Sequence, residues 1–176
     1  EGKVFEIISG KEQISMIRNL MKRKRLDMSV GTLLREISLA KNNLIGVEEF
    51  KALYESDKLM SKVANIYESY EKEKAKKYLL DFDDLLVETY NLLSSDESIR
   101  EKYSERYQHV LIDEFQDTNP VQLEIIKLIV DHRNSNEKSY WITGDDWQSI
   151  YSFAGASVNN ILNFEKNFKH SEIFIL

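Results

Sequence analysis

"HVLIDEFQDTNP", residues 109–120, changes character halfway along. Val110, Leu111 and Ile112 make a short apolar run, too short for a helix and expected to be a buried strand. Asp113, Glu114, Gln116 and Asp117 follow at once. Burying so many polar groups is costly unless they find partners. Two explanations fit these residues. One is an acidic turn that caps the next helix through its N-terminal dipole. The other is a cluster that holds a cation. Thr118 or Asn119 offers the helix cap and Pro120 suits its first turn. Val121, Ile125, Leu128 and Ile129 are spaced as its buried stripe.

The same alternation continues downstream. "SYWITGD" (139–145) is expected to be a second buried strand, "SVNNILNFEKNF" (157–168) a helix, and "SEIFIL" (171–176) a third strand. Strand, helix, strand, helix, strand is the pattern of a parallel sheet with crossover helices. Three strands make a thin sheet, and parallel sheets need both faces covered. The expectation is therefore an α/β fold of which this chain holds one piece.

Upstream the periodicity is helical. "VFEIIS" (4–9) is a short extended piece. A helix follows from about Lys11, with Ile14, Ile17 and Met21 on one face and Leu20 beside them. "KRKR" (22–25) closes it, where cations suit the helix dipole. Val30–Lys41 is a second helix and "GVEEFKALY" (46–54) a short third. Leu59, Val63, Ile66, Tyr67 and Tyr70 mark a longer fourth. "EKEKAKK" (71–77) reads as a solvated helix face. "DFDDLLVETYNLL" (81–93) starts another helix, with its aspartates as a structural start. In "SSDESIREKYSERY" (94–107), Ser94 with Glu97 has capping-box spacing. The expected division is a helical part over 1–80 and an α/β part over 81–176.

Composition narrows the function classes. The 176 residues are 42% hydrophobic and 31% charged, enough for a core, and the net charge is −6. That balance argues against a surface-wide nucleic-acid binder but leaves a local groove open. There is no cysteine, which excludes disulfides and thiolate metal sites. His109, His132 and His170 lack zinc-motif spacing. No apolar stretch approaches membrane-spanning length, and the charged start does not look like a signal peptide. A cytoplasmic location, with no membrane partner, is expected.

Ligands of open α/β sheets bind at the carboxyl ends of the strands. Both polar clusters fall there: "DEFQD" after "VLI", and "GDDWQ" after "YWIT". If the strands are neighbours, Asp113, Glu114 and Asp145 or Asp146 crowd one edge. Such crowding raises carboxyl pKa values unless a cation intervenes. Mg²⁺ suits this edge, since it takes oxygen ligands and is held by one or two carboxylates plus substrate phosphates. A carboxylate after a buried strand holding Mg²⁺ is the Walker-B arrangement. A neighbouring Glu then activates the attacking water.

"VLIDEFQDTNPVQ" with "GDDWQSIYSFAGA" resembles motifs II and III of the UvrD/Rep-type superfamily 1 DNA helicases. "DFDDLL" is similar to a segment those proteins carry ahead of motif II, and the helical first half resembles their inserted 1B subdomain. The resemblance covers essentially the whole chain. "DDWQ" and "FAG" look most similar to the helicase IV branch. The resemblance implies a fold: a partial RecA-like P-loop sheet, the C-terminal half of domain 1A, preceded by 1B. It also implies the cofactors ATP and Mg²⁺, and single-stranded or partly duplex DNA as partner. Asp113 would hold Mg²⁺, through water, and Glu114 would activate the water. Gln116 and Asp117 would hydrogen-bond within the nucleotide site and towards motif III. Gln148 would sense the γ-phosphate, as its amide both donates and accepts. Phe153 would stack on a base and Tyr151 would lie near single-stranded DNA, stacking being sequence-tolerant. Trp147 and Tyr151 also read as core or site support. Ala154 stands where many relatives have arginine.

No G-x-x-x-x-G-K-[ST] loop occurs in these residues, and the family's motifs IV to VI are not among them. The expectation is an internal helicase fragment, 3′-to-5′ by resemblance. It would be inactive alone and would need the P-loop half of 1A and domain 2A. Two other classes use the same residues: a metal-dependent phosphohydrolase or nuclease working on two metals, and a non-catalytic helical interaction module with capping carboxylates. Gln148 and the lack of a suitably placed histidine argue against the first.

Overall fold

The computed structural model describes residues 4–130, 139–145, 147, 163–168 and 171–174. The chain divides into two compact units, Glu1–Glu88 and Thr89–Leu176. The boundary falls inside a helix that begins at Phe82.

The first unit is built from helices whose ends are written locally. Strand β1 (Glu6–Ile7) leads into α1 (Gly10–Lys24). Ser9 caps α1 and Glu12 reaches back to the Ser9 amide, a reciprocal capping box. The S-x-x-E signal stands in the sequence at residues 9–12. Helix α1 closes on Lys22, Arg23 and Lys24, with Arg25 in the left-handed conformation at its end. Ser29 caps α2 (Val30–Asn42), and Gly46 precedes α3 (Val47–Leu53). Asp57 caps α4 (Lys58–Lys77), which ends on a left-handed Tyr78. That reversal feeds β2 (Leu79–Leu80), which pairs in parallel with β1.

Ile17, Leu20 and Met21 of α1, Leu33 and Ile37 of α2, Phe50 of α3, and Val63, Ile66, Tyr67 and Tyr70 of α4 form one buried core. Ile14 and Leu59, expected on the buried stripes, are exposed. Each lies in the first turns of its helix.

The run "EKEKAKK" is not simply a solvated face. Lys74 is only 1% exposed and Lys41 of α2 is also buried. Lys41 Nζ donates to Asp81 Oδ2 at 2.7 Å and Asp84 Oδ1 at 2.6 Å, and pairs with Glu71 at 2.9 Å. Lys74 Nζ meets Asp81 Oδ2 at 2.9 Å, Glu71 at 3.0 Å, and Asp84 Oδ2. Tyr70 donates its hydroxyl to Asp81 and accepts from Gln13, each at 2.9 Å. The aspartates also start the next helix, α5 (Phe82–Ser95): the Asp81 amide bonds Asp84, and the Asp84 amide bonds Asp81. One cluster thus ties α1, α2, α4 and α5 together.

The second unit continues α5 into α6 (Glu97–Arg106). The Ser94–Glu97 capping box does not form. Ser94 lies inside α5 and bonds back to the Asn91 carbonyl, and Asp96 caps α6 instead. Strand β3 (His109–Ile112) and β4 (Ser139–Ile142) pair in parallel, with Ile112 opposite Ile142. A 3₁₀ turn (Phe115–Asp117) and α7 (Pro120–Val130) lie between them in sequence. Asn119 caps α7 reciprocally with Gln122. Of the expected stripe, Val121 is fully buried, while Ile125, Leu128 and Ile129 are half-buried; Leu123, Ile126 and Val130 pack on the aromatic core instead. Helix α7 is apolar nearly all round, so periodicity alone leaves its core face undetermined. Phe115, Phe164 and Phe168 join that core with Ile112, Tyr140 and Ile142.

Two expectations change. Leu111, expected buried, is 76% exposed, and its register partner Trp141 is 64% exposed. A period-two strand sends Leu111 and Ile112 to opposite faces, and among the described residues the packed face is that of Ile112. Residues 171–174, expected in a third strand, are irregular. Among the described residues the sheets are two parallel pairs. Of the helix expected over 157–168, Phe164–Asn167 is described as helical.

The buried cluster makes the stability of the first unit depend on pH. Burial opposes ionisation of Asp81, but Lys41 and Lys74 outweigh it and hold the carboxyl well below the usual range. Burial likewise opposes the charge on Lys41, but Glu71, Asp81 and Asp84 push it well above the lysine range. Asp81 therefore stabilises the fold above its unfolded pKa, near 3.9, and that contribution is lost as pH falls below it. Lys41 stabilises fully below its unfolded pKa, near 10.4, and less as pH rises above it. Asp83, pushed up chiefly by burial, works the other way at the acid end. A urea-midpoint series against pH should show a plateau between about pH 5 and 9.5, falling on both sides. At neutral pH, Lys74→Ala should cost about 3–5 kcal/mol in urea unfolding, the range for removing one partner of a buried ion pair.

Candidate active site

The parallel register brings the two polar turns together. Beyond the paired strands the ladder runs on: the Thr143 amide donates to the Ile112 carbonyl, and the Phe115 amide to the Thr143 carbonyl, each at 2.9 Å. Asp113 and Glu114 therefore leave β3 directly beside Thr143, Gly144 and Asp145 leaving β4. Phe115, fully buried, anchors the turn from below. The aromatic in "DEFQD" is a core residue.

Asp113 is exposed and takes both of its hydrogen bonds on one oxygen. Oδ1 accepts from the Glu114 amide at 3.0 Å and from the Thr143 hydroxyl. The Thr143 hydroxyl first, then the Glu114 amide, hold its pKa below the ordinary carboxylate value. Among the described residues, nothing donates to Oδ2. Glu114 is a non-glycine residue in the left-handed region, φ 52° and ψ 43°. Such a conformation costs an L-residue roughly 1–2 kcal/mol, and strain of this kind gathers at functional sites.

Gln116 is 1% exposed and spans the two turns. Its Nε2 donates to Glu114 Oε2 at 2.5 Å, and its Oε1 accepts from the Asp145 amide at 3.0 Å. Asp117 lies half-buried in the 3₁₀ turn; its amide bonds the Glu114 carbonyl at 2.8 Å, and its buried Oδ1 has no hydrogen-bond partner among the described residues. The structure thus gathers Asp113, Glu114, Gln116 and Asp117 at one sheet edge with Asp145. Gln148, Tyr151, Phe153 and Ala154 lie outside the described residues. Trp147, read as core or site support, is 92% exposed, which corrects the core half of that reading. Its amide donates to Asp145 Oδ1 at 2.9 Å.

The donor set fits a hard cation. Asp113 is ionised and accessible, and among the described residues nothing donates to its Oδ2; Mg²⁺ prefers such oxygens and keeps several waters. The other carboxylate trio, Glu71, Asp81 and Asp84, offers oxygens within 4.8 Å of one another. The ammonium groups of Lys41 and Lys74 already pair with all three of its carboxylates, and it reads as structural. Sequence reading missed Thr143 and the two lysines. Thr143 sits on the last position of an apolar run, and Lys74 is hidden in a charge run.

The chain matches the model of the UvrD/REP helicase N-terminal domain over residues 2–169. It is 33% identical over 177 residues to the ATP-dependent DNA helicase PcrA of Bacillus subtilis, covering 98% of this chain and 23% of that protein. It is 41% identical over 145 residues to a probable DNA helicase II homolog of Mycoplasma genitalium, covering 80% of this chain and 19% of that protein. PcrA of Staphylococcus aureus strain Mu50 is 32% identical over 179 residues, 98% of this chain and 23% of that protein. The chain spans about a fifth to a quarter of the length of these curated relatives.

Gln116 is the tie between the turns. Gln116→Leu keeps the buried volume and removes both hydrogen bonds. It should lower stability by about 1–3 kcal/mol in urea unfolding and speed amide exchange at Asp145.

Proposed function

The chain belongs to the UvrD/REP helicase N-terminal domain family, and from that premise we propose that it is the Walker-B portion of an ATP-dependent DNA helicase. The observation that carries this is the joined pair of turns. An ionised Asp113 and a strained Glu114 stand at the carboxyl end of β3, and Gln116 ties Glu114 to the turn after β4.

In this reading Asp113 would hold Mg²⁺, through water, by Oδ2, to which nothing donates among the described residues. Magnesium, when bound with ATP, offsets the negative charge of the phosphates. Glu114 orients and deprotonates the attacking water, while Gln116 keeps its carboxylate from swinging away. Gln148 would follow the γ-phosphate, and Phe153 and Tyr151 would meet single-stranded DNA. Those three roles rest on resemblance. So do the 3′-to-5′ direction, the helicase IV similarity, the partial RecA-like layout and the division near residue 80 into 1B and 1A portions. The parent protein would supply the P-loop half of 1A and domain 2A. Without a phosphate cradle, these 176 residues by themselves would turn over no appreciable ATP. Among the described residues no helix is long and apolar enough to cross a membrane, in keeping with the cytoplasmic placement proposed here.

Substituting Glu114→Gln in the full-length parent tests the reading. The variant should bind ATP and single-stranded DNA as the wild type does. Its DNA-stimulated ATP turnover should fall by about 10²–10⁴-fold, the usual worth of a general base. Equal turnover in the two proteins would leave the capping explanation of this turn standing.

A further inference from the structure

Thr143 belongs to none of the roles above, yet its position is tightly determined. Its amide bonds the Ile112 carbonyl and its carbonyl accepts from the Phe115 amide, so its backbone brackets Asp113 on both sides. A β-branched side chain on so fixed a backbone has little rotameric freedom. Its hydroxyl donates to Asp113 Oδ1, the same oxygen that takes the Glu114 amide. Two donors from two adjacent chain segments therefore converge on one oxygen of an otherwise exposed carboxylate.

We propose that Thr143 is a positioning residue for the divalent cation: its hydroxyl fixes the rotation of the Asp113 carboxylate so that Oδ2 alone faces the metal and its waters. The proposal rests on the assignment of Asp113 as the Mg²⁺ residue. An exposed Asp freed of this restraint rotates among several orientations, and only some present an oxygen to the ion. Outer partners of metal-ligating groups orient them and typically contribute 10–100-fold to metal affinity. Thr143 is itself exposed, which sets the expectation at the low end, about tenfold.

The test uses the full-length parent with Thr143→Val, Thr143→Ser and Asp113→Ala. Valine matches threonine in shape and favours strands, so it removes the hydroxyl and leaves the ladder. Mn²⁺ binding in the presence of a non-hydrolysable ATP analogue is followed by electron paramagnetic resonance. The Mg²⁺ dependence of DNA-stimulated ATP turnover is measured beside it, with melting temperatures for each variant. The expected result is Mn²⁺ affinity and Mg²⁺ half-saturation weakened about tenfold in Thr143→Val. Turnover at saturating Mg²⁺ should be nearly unchanged, and Thr143→Ser should restore both values. A purely structural role would lower turnover at every Mg²⁺ concentration, and serine would not then separate from valine. If Asp113→Ala loses Mn²⁺ while Thr143→Val does not, or if serine fails to restore it, the role of Thr143 is overturned and the Walker-B reading stands. If Asp113→Ala keeps full Mn²⁺ affinity, the Walker-B reading falls and this inference with it.

Discussion

The parallel register of β3 against β4 is the constraint on which the candidate site depends. Ile112 pairs with Ile142, and Thr143 carries the ladder on, donating to the Ile112 carbonyl and accepting from the Phe115 amide. With that alignment Asp113 meets Thr143, and Gln116 reaches Asp145. A slip of one residue would turn every side chain to the other face. Ile112, Tyr140 and Ile142 would leave the aromatic core around Phe115, and the acidic turn would lose its partners. Core packing on one face thus sets the geometry of polar groups at the edge.

The first unit depends on a different kind of interaction. Three carboxylates, from Glu71, Asp81 and Asp84, surround the ammonium groups of Lys41 and Lys74 in a buried setting. Removing charges from water is expensive, and pairs of this sort return little net stability over an apolar substitute. What they supply is direction. Carboxylates with several donors each accept one arrangement of α2, α4 and α5, where an apolar patch would tolerate several. The same aspartates cap α5, so helix start and tertiary tie are one structure. Tyr70 extends it to α1 through Gln13.

The helices, their order and the two strands flanking α7 were legible because each has a local cause. Ser9, Ser29, Asp57 and Asn119 lie just before apolar periodic runs, and Pro120 follows a cap. The acidic turn was legible because its residue types are costly without partners. Other features were not. Lys74 sits in a charge run that looks solvated, and only the fold brings Asp81 and Asp84 onto it. Leu111 and Ile112 are equally apolar, and which one is buried depends on which sheet face is packed. Ser94 and Glu97 have capping-box spacing, but α5 runs on through Ser94 and Asp96 takes the cap.

The sequence by itself determined most of the helices, the strands either side of α7 and the family motifs, because helix ends and strand alternation are set largely by neighbours a few residues away. It also determined that Asp113 and Glu114 are adjacent at a strand end. Tertiary structure alone decided that Thr143 holds Asp113, that Gln116 joins the two turns, and that Lys41 and Lys74 neutralise the aspartates of α5. Those partners are 7 to 43 residues apart in the chain. Pairings of that kind follow from strand register and helix packing, which are settled by burying the whole core at once and not by any local pattern.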